Sequence, residues 1–131
     1  MNSRAADAVA PRHARVLWAV AGSRLLKPTV REAIESAEEV YVSAASIWEV
    51  ANKVRLGKIE ADPELLTGAL TTSGFLELPV KAAHAAGVAR LPMHHNDPFD
   101  RLLVAQALAE PLRLLTADAV LAKYSDVVVL V

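Results

Sequence analysis

Val40-Tyr41-Val42-Ser43-Ala44-Ala45-Ser46-Ile47-Trp48-Glu49-Val50-Ala51-Asn52-Lys53-Val54 changes its period at Ser43, and that change decides how the chain is expected to fold. Before it, a β-branched and aromatic run reads as a short strand. Ser43 stands where a helix would be capped. After it, Ile47, Val50, Ala51 and Val54 recur at i, i+3, i+4 and i+7, which is a helix ended by Gly57.

The same alternation continues on both sides. Pro28 to Glu39, with Val30 and Ile34 at helical spacing, predicts a surface helix upstream. Downstream, Pro63 to Leu70 predicts a helix, and Phe75 to Val80 a strand or extended link. Lys81 to Leu91 is Ala-rich and helical, and Pro92 to Pro98 forms a loop. Asp100 to Ala109 predicts a strong helix, Arg113 to Thr116 a strand, Ala119 to Tyr124 a short helix and Val127 to Val131 an apolar strand. Strands alternating with helices imply an α/β fold whose parallel sheet is covered on both faces. Such sheets take their ligands beyond the carboxyl ends of the strands.

Composition narrows the function classes. A chain of 131 residues can bury roughly two thirds of its unfolded surface, so it needs no disulfide or structural zinc to build a core. It has no cysteine, which excludes thiolate catalysis, thiolate zinc sites and iron–sulfur clusters, and fits a reducing compartment. Fourteen Lys and Arg against fifteen Asp and Glu give no bulk attraction to phosphate, so nucleic-acid contact would need local patches or bound cations. Aromatic residues are 5% of the chain, too few for base stacking to be the main mode of binding. No apolar run approaches the ~20 residues of a membrane span, and Asp7 and Arg12 are foreign to a signal peptide. The expectation is a cytoplasmic domain with no membrane partner.

Four acids, Glu49, Asp97, Asp100 and Asp118, each have an ordinary structural reading. Composition favours a solvated Glu49 on its helix. Asp100, at the start of a helix, has an ordinary role as a favourable charge at a helix N-terminus. Asp97 reads as the cap of the same turn. Asp118, after Leu114-Leu115-Thr116, reads equally as an N-cap or as a site residue. Together they change the odds, because Glu49, Asp100 and Asp118 all follow or approach a strand end. Clustered carboxylates repel one another unless a hard cation such as Mg²⁺ or Mn²⁺ neutralises them.

The stretches VYVSAASIWEVANKVRLGKIE, LPMHHNDPFDRLLVAQAL and RLLTAD, in that order, resemble the PIN-domain ribonucleases, and most closely the VapC toxins of type II toxin–antitoxin pairs. The resemblance implies a three-layer α/β/α sandwich over residues 16–131, a homodimer, and metal-dependent endoribonuclease activity restrained by a cognate VapB-like antitoxin. It implies that Glu49, Asp100 and Asp118 are catalytic metal ligands for Mg²⁺ or Mn²⁺. Asp97 and Thr116 would stand behind them, Asp97 as an outer partner or helix cap and Thr116 positioning water or ligand.

Members of that family carry a further acid at the end of the first strand, in a Leu-Leu-Asp-Thr-His motif a few residues before a Trp. Spacing from Trp18 puts Arg12 in that place, where it cannot ligate a cation, and Asp7 lies too early. Residues 1–15 are therefore an atypical N-terminus, with the first strand expected to be lost or altered. Codons compatible with Asp7 to Arg15, read one base later, permit Met-Leu-Leu-Leu-Leu-Asp-Thr-His-Val, an ordinary family start. A small insertion or deletion before Trp18 would account for this. It requires Arg12 to end in GA, His13 to be CAC and Ala14 to be GCA, which gene sequencing reads directly. The alternative function is a catalytically impaired PIN-domain protein that still dimerises and binds an antitoxin.

Other residues also carry two readings. Lys53, Arg55 and Lys58 could contact RNA phosphates or simply favour a helix C-terminus, and Arg101 could contact RNA or pair with a carboxylate. His94 and His95, adjacent in a loop, lack the spacing of a helical zinc site and read as surface residues. Trp48 reads as core or dimer packing, and Trp18 as core. A phosphoacceptor receiver domain would need an early acid pair and a mid-chain acceptor Asp at a strand end; neither is present.

Overall fold

The computed structural model describes residues 15–20 and 27–131. Arg12, Asp7 and the rest of the atypical N-terminus before residue 15 lie outside the described residues, as do residues 21–26. The described elements are β1 (Arg15–Trp18), α1 (Pro28–Ser36), β2 (Glu39–Ser43), α2 (Ala44–Arg55), α3 (Pro63–Thr72), β3 (Leu76–Leu78), α4 (Ala82–Gly87), α5 (Pro98–Ala109), β4 (Arg113–Thr116) and β5 (Val128–Leu130). Short 3₁₀ helices, Val88–Arg90 and Ala119–Lys123, follow α4 and β4.

The five strands form one sheet in the order β3-β2-β1-β4-β5, and every pairing is parallel. That is the α/β class the alternation predicted. Its two faces bury separate cores, as the period of two along each strand requires. Leu17 and Leu114 point to one face, where Leu103, Val104 and Ala107 of α5 cover them. Val16, Trp18 and Leu115 point to the other, with Val30 of α1 and the half-buried Ile47 and Leu70. Helices on both faces make the three-layer sandwich.

The first strand is altered, not lost. Arg15–Trp18 fills the centre of the sheet, with Val16 opposite Val40 on one side and Leu17 opposite Leu114 on the other. Val16-Leu17-Trp18 is an apolar triplet, as a strand buried on both faces must be. Trp18 is core, as expected, and meets Phe75 with ring centroids 5.7 Å apart.

The order of the strands reverses between β1 and β4. Chain leaving β1 goes toward β2 and β3, whereas β4 and β5 lie on its opposite side. The carboxyl ends of these two strands therefore border the crevice where doubly wound sheets bind ligands. Two local devices aim the flanking helices at it. Ser43 caps α2, its Oγ accepting from the Ala45 N–H at 3.0 Å and also lying 2.6 Å from Gln106 Oε1. Gln106 Nε2 in turn donates to the Pro79 carbonyl at 3.2 Å, so buried α5 is tied to both β2 and the end of β3.

Candidate active site

Asp118 is set by the turn that leaves β4. Its N–H donates to Thr116 Oγ1 at 3.1 Å, and its Oδ1 accepts from the Val120 N–H at 2.9 Å, capping the 3₁₀ turn. Asp118 is thus an N-cap, and its other oxygen, Oδ2, lies 2.8 Å from His95 Nε2. Thr116 is buried and acts on the backbone of Asp118.

Asp97 is the cap of α5. Its Oδ1 accepts from the N–H groups of Phe99 at 2.8 Å and Asp100 at 3.3 Å, with Pro98 in the first turn where its missing N–H costs nothing. This leaves the carboxylate of Asp100 in the first turn of α5, directed toward the same space as Asp118.

His95 joins them, contrary to the expectation of a surface loop residue. Its Nε2 lies 2.8 Å from Asp118 Oδ2 and 3.5 Å from Asp100 Oδ2. Ligand atoms of His95, Asp100 and Asp118 all fall within 4.8 Å of one another. No spacing rule announces this, because the ring is turned inward by the Asp97 N–H, which donates to His95 Nδ1 at 3.0 Å. His94 remains exposed and stacks edge-on against Tyr124.

Glu49 comes from α2 and is not solvated: it is only 7% exposed. Its Oε2 lies 3.5 Å from Lys53 Nζ one turn on, while its Oε1 is buried without a hydrogen-bond partner. Leaving a buried carboxylate oxygen unpaired is costly, on the order of 1–3 kcal/mol or more. Burial raises the Glu49 carboxyl above its ordinary value, Lys53 pulls against this, and Asp97 pushes the same way as burial. Asp100 is pushed up to about 6, chiefly by burial and then by the charges of Asp97 and Glu49. Glu49, Asp97 and Asp118 thus all repel Asp100 across one cleft. The expected set of Glu49, Asp100 and Asp118 meets in a single electrostatic site, although Glu49 is not within the tight triplet.

The donor chemistry fits a divalent cation. Carboxylate oxygens from three elements suit a hard ion, and the orphaned Glu49 Oε1 is an acceptor that nothing among the described residues satisfies. Among the described residues, the end of β1 brings no acid to the site. Where β1 ends, the chain reads Trp18-Ala19-Val20, and the Ala19 N–H donates to the Leu115 carbonyl at 3.0 Å, which sets Ala19 beside Thr116.

Arg101 is a correction. It is buried, and its guanidinium donates to the carbonyls of Pro92 at 3.0 Å and Val88 at 3.1 Å and to Tyr124 Oη at 3.2 Å. A group so occupied anchors the loop before α5 and is not free to hold RNA. Lys53 is engaged with Glu49, whereas Arg55 and Lys58 are exposed just beyond it. Trp48 is also a correction to the core reading, since it is 61% exposed and packs edge-on against Phe99 with centroids 5.0 Å apart.

A family model described as PIN domain matches residues 15–127. No curated protein matches the chain.

Proposed function

The chain belongs to the PIN domain family, and from that premise we propose that it is a metal-dependent endoribonuclease, the toxin of a type II toxin–antitoxin pair. The observation that carries the reading is the buried, unpartnered oxygen of Glu49 in a cleft shared with Asp100 and Asp118 at the switch point of a parallel sheet. Such an arrangement is unfavourable by itself and becomes favourable around a cation.

Glu49, Asp100 and Asp118 would hold Mg²⁺ or Mn²⁺. When bound, the cation supplies Lewis acidity and a more acidic water for attack on a phosphodiester. The chain's own residues do the rest. Thr116 and the Val120 N–H fix the direction of Asp118, Asp97 fixes the first turn of α5 beneath Asp100, and Lys53 compensates part of the Glu49 charge. Arg55 and Lys58 supply positive charge for the RNA backbone at the far end of α2. The exposed Trp48, no longer available as core, is assigned to a homodimer contact, and a small VapB-like antitoxin is the proposed regulator.

One observation favours the second reading, a catalytically impaired protein that still binds its antitoxin: the described end of β1 reads Trp18-Ala19-Val20 and carries no acid. Purified protein freed of any antitoxin and incubated with RNA and Mg²⁺ or Mn²⁺ separates the two. Cleavage abolished by Asp100→Asn supports the nuclease. Absent cleavage in a protein that binds Mn²⁺ and co-purifies with a small partner supports the second reading.

A further inference from the structure

By position alone His95 is a metal ligand, since its Nε2 sits within 4.8 Å of the ligand oxygens of Asp100 and Asp118. Its hydrogen bonds argue otherwise. The backbone N–H of Asp97 can only donate, so His95 Nδ1, at 3.0 Å, must accept and carries no proton. A neutral imidazole has a single N–H. That hydrogen is therefore on Nε2 and points to Asp118 Oδ2 at 2.8 Å. A ring nitrogen bearing hydrogen has no lone pair to give a cation.

The loop that carries the ring is held to match. The His95 N–H donates to Tyr124 Oη at 2.9 Å, and the same oxygen accepts from Arg101 Nη1 at 3.2 Å. Arg101 also grips the carbonyls of Val88 and Pro92, at 3.1 and 3.0 Å. Loop, ring and tautomer are thus fixed from Asp97 on one side and Tyr124 and Arg101 on the other. Asp118 is then held at both oxygens, by Val120 through Oδ1 and by His95 through Oδ2.

We infer that His95 is a positioning residue, a fixed Nε2–H donor that orients Asp118 within the carboxylate site and does not itself ligate a cation. The inference rests on the reading of Asp118 as a ligand. Outer hydrogen bonds of this kind orient ligating carboxylates, and their loss typically costs about 10- to 100-fold in metal affinity.

The test is long-range ¹H–¹⁵N correlation on ¹⁵N-labelled protein, metal-free and then titrated with ¹¹³Cd²⁺. The expected result is the Nε2–H tautomer throughout, with no ¹¹³Cd–¹⁵N coupling to His95. His95→Ala should weaken Mn²⁺ binding about tenfold, and His95→Gln, whose amide keeps an N–H for Asp118, should recover most of it. An Nδ1–H tautomer, a ¹¹³Cd coupling to Nε2, or wild-type Mn²⁺ affinity in His95→Ala overturns the inference. If neither Cd²⁺ nor Mn²⁺ binds at all, the metal-dependent reading fails separately. The metal-free spectrum then decides the positioning role: a downfield Nε2–H signal lost in Asp118→Ala sustains it, and its absence from the wild type overturns it.

Discussion

β1 and β4 are neighbours in the centre of the sheet, paired along their length, yet only one of them ends in chemistry. β4 runs from buried Leu114 and Leu115 into Thr116 and Asp118, which collect His95 and face Asp100. β1 runs from buried Val16 and Leu17 into Trp18, Ala19 and Val20, all apolar. Burial on both faces asks the same thing of both strands, an apolar run, and both satisfy it. The crevice asks for something more at the strand ends, and only β4 satisfies that. Fold and site are therefore separable demands on this sequence, and each can be tested without the other.

The largest effect should come from the strand that serves the fold alone. Leu17 is fully buried at the centre of the sheet. Leu17→Ala should destabilise the protein by about 2–5 kcal/mol through lost transfer energy and a residual cavity, measured by urea unfolding. If the change costs less than about 1 kcal/mol, then Arg15–Trp18 is not the central strand, and the equivalence of β1 and β4 collapses.

On the side that serves the site, the sign should be opposite. The Asp100 carboxyl has an ordinary value of 3.8 and is pushed up to about 6 in the folded chain. Between those values the folded state holds the proton more tightly than the unfolded state. Stability is therefore highest below the lower value, falls as pH rises through the interval, and levels off above the upper one. The full shift corresponds to about 3 kcal/mol, to be reduced for solvent screening of a partly exposed group. Asp100→Asn should flatten this part of the pH–stability curve and raise the melting temperature of metal-free protein at neutral pH, while removing Mn²⁺ binding. A variant that melts lower than wild type at pH 7 in EDTA would show that the carboxylates do not repel as the geometry requires.

How much of this was readable beforehand follows the same division. The alternation of strand and helix placed β2, α2 and β4 within a residue or so, because apolar periodicity is what burial selects. β1 is not legible as a strand because Val16-Leu17-Trp18 is too short to show a period. The acids of the cleft were legible from their places after strand ends. Their surroundings were not: composition favoured a solvated Glu49, but α2 turns it inward beside the exposed Trp48. Arg101 follows Asp100 directly, yet about 100° of helical rotation separates their side chains, which sends the carboxylate to the cleft and the guanidinium to the loop carbonyls. His95 was hidden for a different reason. It enters the site through a backbone hydrogen bond from Asp97, and no residue type or spacing records a ring orientation imposed by a main-chain N–H.

The smallest expected effect is also the one that sharpens the comparison most. Ala19 lies where β1 enters the crevice, its N–H on the Leu115 carbonyl and its side chain packed against the α5 side of the sheet. Ala19→Asp would give β1 the carboxylate that β4 already has in Asp118. Without a cation, a carboxylate at the end of β1 adds desolvation and, if it enters the cleft, repulsion, so the metal-free variant should lose on the order of 1 kcal/mol or more. With Mn²⁺ present the same charge becomes a ligand, and affinity should rise about tenfold, equivalent to about 1.4 kcal/mol. Differential scanning calorimetry with and without Mn²⁺ reads both halves of the effect in one experiment. The two demands are separable only if the cost appears without metal and is recovered with it. A variant destabilised equally in both conditions would mean that the end of β1 does not open into the carboxylate cleft, and that the asymmetry between the two strands belongs to packing and not to the site.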